Sequence, residues 1–260
     1  MIDITVRRPV KWSCYSDSDV GVVREINEDS VMSNPDAGLW AVADGMGGYE
    51  AGNVASNMIV KSLEEIGQQD FLDDFVNQVE DQILDVNDRI LEYAEIMLDG
   101  RTLGSTVVSL IIQGQAGACL WVGDSRLYRL RSDTLVKLSR DHSRVEELLQ
   151  QGVISQAEVE NHPESNVITR AVGIGDELYV DLNVFNVQLG DAYLLCSDGL
   201  YNTVSDAEIL EQLSNYAPEQ GVNNLVQMAL DNGAPDNVSV IIVKGMPENS
   251  ENAMSQQRAQ

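Results

Sequence analysis

Trp40-Ala41-Val42-Ala43-Asp44-Gly45-Met46-Gly47-Gly48 is an apolar strand that ends on an aspartate and runs into glycines, which let backbone carbonyls approach a ligand closely. Leu194-Leu195-Cys196-Ser197-Asp198-Gly199 repeats that design, and Leu120-Trp121-Val122-Gly123-Asp124 is a third strand delivering an aspartate. Asp236-Asn237 stands just before the apolar run Val238 to Val243, and Arg24-Glu25-Ile26-Asn27-Glu28-Asp29 leads into another strand. A single Asp-Gly is ordinary turn chemistry. Strand-terminal copies joined by Glu28 and Asp29 point instead to a site that holds a metal through oxygen. Mg²⁺ or Mn²⁺ suits carboxylates, carbonyls and water, whereas zinc wants His or Cys. The chain has two histidines and three scattered cysteines, Cys14, Cys119 and Cys196. Arg24 offers the planar, two-pronged donor that a phosphate group needs, with a surface ion pair as its plainer alternative.

Around these motifs the chain reads as short strands: Asp29 to Ser33, Leu39 to Ala43, Ser105 to Ile112, Ala118 to Val122, Arg126 to Arg131, Tyr179 to Val187, Ala192 to Cys196 and Val238 to Val243. Helical spacing appears at Ala55, Ile59, Leu63 and Ile66, and again at Leu72, Phe75, Val79, Ile83, Val86, Ile90 and Met97. Further helices are expected at Ser143 to Gly152, Gln156 to Glu160, Asp206 to Leu213 and Gly221 to Leu230. Clustered strands with paired helices predict stacked layers, an α+β architecture with enough strands for two sheets. One domain over residues 12–245 is expected. The polar stretch 246–260 cannot bury a core and is expected to be disordered.

The net charge of −26 argues strongly against nucleic-acid binding, since a phosphate backbone would be repelled. Acids between Glu64 and Asp99 are opposed only by Arg89, which reads as a solvated helix face, with a docking surface for a basic partner as the alternative. No run approaches the roughly 18 apolar residues of a membrane span, and the first residues carry no secretory pattern. A cytoplasmic monomer without disulfides is expected.

Taken in order, Arg24…Asn27-Glu28-Asp29, Val42 to Gly48, Gly104-Ser105-Thr106, Val122 to Arg126, Asp141-His142-Ser143, Thr169 to Gly173, Ser197 to Leu200 and Asp236-Asn237 resemble the motifs of bacterial type 2C (PPM) protein serine/threonine phosphatases. The resemblance runs from about Gly21 to Val243 and implies a β-sandwich of two antiparallel sheets flanked by helices on both faces. It implies that Asp44 bridges two Mn²⁺ or Mg²⁺ ions, that the Gly45 carbonyl binds one and that Asp198 and Asp236 bind the other. Glu28 and Asp29 would act directly or through water, and Asp124 with Asp198 would hold a weaker third ion. Arg24 would grip the phosphate while a water activated by two ions attacks phosphorus in line. The substrates implied are phosphorylated proteins, in opposition to a bacterial serine/threonine kinase.

The chain departs from that family at two places: Met46 and Tyr49 stand where relatives carry histidines. The remaining histidines are His142 and His162, of which His162 is the provisional proton donor and substrate contact. Ser143 to Asn166 occupies the position of the family's variable flap, where Glu158, Glu160 and Glu164 would favour basic flanking residues. Competing readings are a phosphatase of small phosphoesters and a non-catalytic partner-binding relative. An acidic calcium module is excluded, because no Asp-x-Asp-x-Asp-Gly loop is present.

Overall fold

A computed structural model describes residues 10–47, 52–159, 162–175 and 177–247. In chain order the elements are β1 (Val10–Asp19), β2 (Asp29–Asn34), β3 (Leu39–Gly47), α1 (Gly52–Glu64), α2 (Leu72–Met97), β4 (Leu103–Ser105), β5 (Val107–Gln113), β6 (Ala116–Val122), β7 (Arg126–Arg131), β8 (Thr134–Lys137), α3 (Arg144–Gln150), α4 (Gln156–Val159), β9 (Asp181–Asn186), β10 (Ala192–Cys196), α5 (Asp198–Tyr201), α6 (Asp206–Asn215), α7 (Pro218–Asp231) and β11 (Val238–Pro247).

Two antiparallel sheets result, ordered β1-β11-β10-β7-β8 and β2-β3-β5-β6-β9, with β4 paired to β3. Their facing surfaces enclose Trp40, Val42, Val108, Leu110, Tyr193, Leu195 and Ile241. The other face of the second sheet packs on α1 and α2 through Ala41, Ile59, Phe75, Ile83 and Ile90. The other face of the first packs on α6 and α7 through Leu194, Ile209, Leu225 and Ile242. This is the layered sandwich expected from the sequence. Burial explains α2: Phe75, Val79, Ile83, Val86 and Ile90 are fully covered, while Asp73, Asp74, Asp81, Asp85, Asp88, Glu92 and Glu95 face solvent. Among the described residues no helix is long and apolar enough to cross a membrane.

Two strands were not expected. β1 is rich in Ser and Asp, which strands usually exclude, yet it pairs along its whole length with β11, from Val10↔Pro247 to Asp19↔Val238. β8 is a four-residue edge strand beside β7. The run expected from Ser105 to Ile112 is interrupted at Thr106, whose amide donates to the Asp44 carbonyl at 2.8 Å while Ser105 pairs with Val172. Residues from 248 onward, including most of the expected tail, lie outside the described residues.

Candidate active site

The β2–β3 register sets Asp29 directly opposite Asp44 at the end of the second sheet. The first sheet contributes Asp198, the first residue of α5 after β10, and Asp236, just before β11. Ser197 joins the two contributions. Its hydroxyl donates to Asp29 Oδ2 at 2.7 Å and accepts the Ser239 amide at 3.0 Å. Asp124, in the turn between β6 and β7, is 6% exposed, and its Oδ1 is buried with no hydrogen-bond partner among the described residues.

These aspartates sit within electrostatic reach of one another. Burial, then the charges of Asp29, Asp198, Asp124 and Asp236, hold the Asp44 carboxyl well above the usual carboxylate range. Burial with Asp124, Asp236 and Asp29 pushes Asp198 up to about 7. Burial is also the main reason that Asp29 and Asp124 each rise to about 6. The cluster is therefore short of positive charge, and its donors are oxygens only, which fits hard divalent cations. Among the described residues no three acids already close around a single point. Two candidate ligands are turned to protein partners: Asp236 Oδ2 accepts from Arg24 Nη2 at 2.7 Å, and Glu28 Oε1 accepts the Gly52 amide at the start of α1 at 2.9 Å. Arg24 thus stands beside the cluster, 52% exposed and paired with one of its acids.

His162 is not brought to the aspartates. It lies on the flap, where its Nδ1 accepts the Glu164 amide at 3.2 Å. His142 is buried instead against the Asp124 turn: its Nδ1 accepts the Gly123 amide at 3.0 Å and its ring stacks on Trp121 at 6.1 Å. Burial, and then the charge of Arg170, lower its pKa. Gly48, Tyr49, Glu160 and Asn161 lie outside the described residues.

Residues 23–231 match the family described as Protein phosphatase 2C. The chain belongs to that family. The serine/threonine protein phosphatase PstP of Mycobacterium tuberculosis is 36% identical over 225 residues, which are 86% of this chain and 43% of that protein. The chain thus spans less than half of that relative's length. A solved structure of the PstP catalytic domain in complex with two manganese ions covers 92% of this chain and 100% of its own, at TM-score 0.81 and 33% identity. The serine/threonine phosphatase stp of Listeria innocua is 37% identical over 235 residues, 87% of this chain and 93% of its own. PppA of Pseudomonas aeruginosa, described as a key regulatory component of T6SS, matches at TM-score 0.83 and 42% identity, over 90% of this chain and 98% of its own.

In this phosphatase 2C chain the glycines after Asp44 and Asp198 serve backbone packing. A Cβ at Gly45 would meet the Gly52 carbonyl oxygen at 2.2 Å, and one at Gly199 would meet the Asn237 carbonyl oxygen at 2.0 Å. Only glycine lets those segments touch, which fixes α1 and the Asp236 turn beside the aspartates they follow. Residues whose roles were missed are mostly polar anchors. The Asn237 amide Nδ2 donates to the Val20 and Ile26 carbonyls at 2.9 and 3.0 Å, and its Oδ1 accepts the Glu28 amide at 2.8 Å. Thr106 Oγ1 accepts the Asp44 amide at 3.1 Å and shares a hydrogen bond with Ser125 Oγ at 2.7 Å. For Asn237 and Ser125 the signal was a polar residue directly after a motif aspartate, whereas Thr106 has no aspartate beside it in the chain.

Proposed function

We propose that this chain hydrolyses phosphoserine and phosphothreonine in proteins with two divalent cations, Mn²⁺ or Mg²⁺. The convergence of Asp29, Asp44, Asp124, Asp198 and Asp236 at one end of the sandwich, with Arg24 alongside, carries the reading. The names of the relatives and the two manganese ions in the PstP structure support it. Asp44, the Gly45 carbonyl, Asp198 and Asp236 would hold the two ions, with Glu28 and Asp29 acting directly or through water. Asp124 with Asp198 would hold a weaker third. Bound there, the ions supply the charge that acidifies water and offsets the phosphoryl oxygens.

The protein's own groups do the rest. Thr106 and the Ser197 hydroxyl fix Asp44 and Asp29, so the acids keep their places as charge is neutralised. Arg24, which donates to Asp236 at 2.7 Å, stands where its guanidinium would grip the phosphoryl oxygens and orient the phosphorus for in-line attack. The departing serine or threonine oxygen needs a proton. His162 serves only if the flap brings it over the cluster, and His162→Ala should then slow a phosphopeptide more than an aryl phosphate, whose leaving group needs little help. Equal slowing of both would deny it that role.

In the cell the reading places the chain opposite a serine/threonine kinase, acting as a monomer in the cytoplasm. The test is turnover of a phosphoserine peptide and a sugar phosphate with Mn²⁺, before and after chelation. Peptide hydrolysis that vanishes with chelator and returns with Mn²⁺ is expected. Full peptide turnover after chelation and dialysis, or hydrolysis of the sugar phosphate alone, would overturn the reading.

A further inference from the structure

A cavity of about 660 Å³ lies between the flap, carrying α3 and α4, and the corner where α5 leads into α6. It touches the carboxylate cluster at Asp124. Such a volume falls in the range of roughly 300–1,000 Å³ typical of ligand pockets, enough for a long side chain and part of the backbone that bears it.

Its charges do not balance. The two cations on its wall, Arg126 and Lys137, both bind Asp141, at 2.7 and 2.9 Å, and the Arg126 guanidinium also lies 3.4 Å over the Tyr201 ring. The other three acids of the lining, Asp124, Glu146 and Asp206, form no salt bridge among the described residues, although the charge of Arg126 is felt at Asp124. Asp124 is the most deeply buried of them and belongs to the carboxylate cluster, which leaves Glu146 and Asp206 as the acids that serve the cavity. Val145 and Val204 add apolar wall between the flap side and the α6 side. Apolar sides with acids around them suit a chain of methylenes that ends in a cation.

We propose that this cavity receives the side chain of a lysine or arginine that flanks the phosphorylated residue of a protein substrate. The proposal rests on the phosphatase reading above and adds the sequence preference of that site. Glu146 from α3 and Asp206 from α6 meet the charged head from opposite walls. Selectivity is thereby set by a fixed cleft as well as by the flap's exposed acids.

The test compares two phosphoserine peptides that differ only by arginine against citrulline beside the phosphosite, with p-nitrophenyl phosphate as the third substrate, at saturating Mn²⁺. Citrulline keeps the shape and removes the charge. The native protein should prefer the arginine peptide by about tenfold in kcat/KM, the scale of one or two exposed ion pairs. The Glu146→Gln/Asp206→Asn double variant should lose most of that preference through KM, with the citrulline peptide and aryl phosphate within twofold of native. Equal rates on both peptides by the native protein would overturn the proposal without any variant being needed. A double variant that keeps the preference, slows all three substrates alike, or changes only in its Mn²⁺ requirement would overturn it too. Hydrolysis of the aryl phosphate but of neither peptide by the native protein would instead remove the protein-phosphatase reading, and this one with it.

Discussion

Asn237→Ala removes three hydrogen bonds that tie the loop bearing Arg24 and Glu28 to the start of β11. The side chain is 4% exposed, so the Glu28 amide and the Val20 and Ile26 carbonyls would lose partners where water enters poorly. At roughly 1–3 kcal/mol for each buried group left unpaired, and allowing for water reaching the half-buried carbonyls, the loss should be about 3 kcal/mol. For a domain of this size that corresponds to a fall of about 6–12 °C in Tm. Function should suffer separately. With its anchor gone, the loop holds Arg24 less firmly, so KM for a phosphopeptide should rise more than kcat falls. Urea unfolding at fixed Mn²⁺ gives the stability term and steady-state kinetics on folded protein gives the other. Asn237→Asp keeps the acceptor for the Glu28 amide but loses both donated bonds and adds charge beside Asp236, so it should be worse than alanine. A stability loss below about 1 kcal/mol with unchanged KM would show that the loop is held by something else.

Asp44→Asn and Asp198→Asn should each lower Mn²⁺-supported turnover by at least about a hundredfold, because on the proposed two-cation reading each would remove ligand charge at the reacting centre; native rates in either would exclude that residue. Arg24→Ala should chiefly raise KM for phosphorylated substrates, and an unchanged KM would take Arg24 out of the phosphate site. Chelated protein should lose stability as pH rises. Asp198 titrates near 7 when folded against an ordinary 3.8, so between those values the unfolded chain has released a proton that the folded chain keeps. Urea midpoints in chelator should therefore fall from pH 4 to pH 7.5, less steeply in Asp198→Asn, and identical slopes would refute the repulsion.

Much of this was legible because the sequence wrote it locally. Ala192–Cys196 was read end to end since all five residues are buried and a fully apolar run has one interpretation. α2 announced itself by spacing, and the motif aspartates by the glycines beside them. β1 could not be read that way, because its strand character comes from β11 and not from Ser16-Asp17-Ser18-Asp19. The break at Thr106 likewise depends on Asp44, sixty-two residues away, which accepts the bond that ends the run. At the site, sequence indicated which acids belong together but not which are occupied. Arg24 and Asp236 are distant in the chain, and nothing in either motif says that they pair. His162 was singled out by scarcity, being one of two histidines, and scarcity carries no information about position.

Asp29 and Asp44 lie on strands of one sheet, while Asp198 follows and Asp236 precedes a strand of the other. Any cation they share is therefore a clasp across the seam of the sandwich, and its grip depends on how the two halves are seated. Trp40, Tyr193 and Leu195, packed along that seam, would then be tuning screws for metal affinity without being ligands. Shaving Leu195 to alanine would let the halves slide, and a binding curve for Mn²⁺ would register the slip before any change in the ligands themselves.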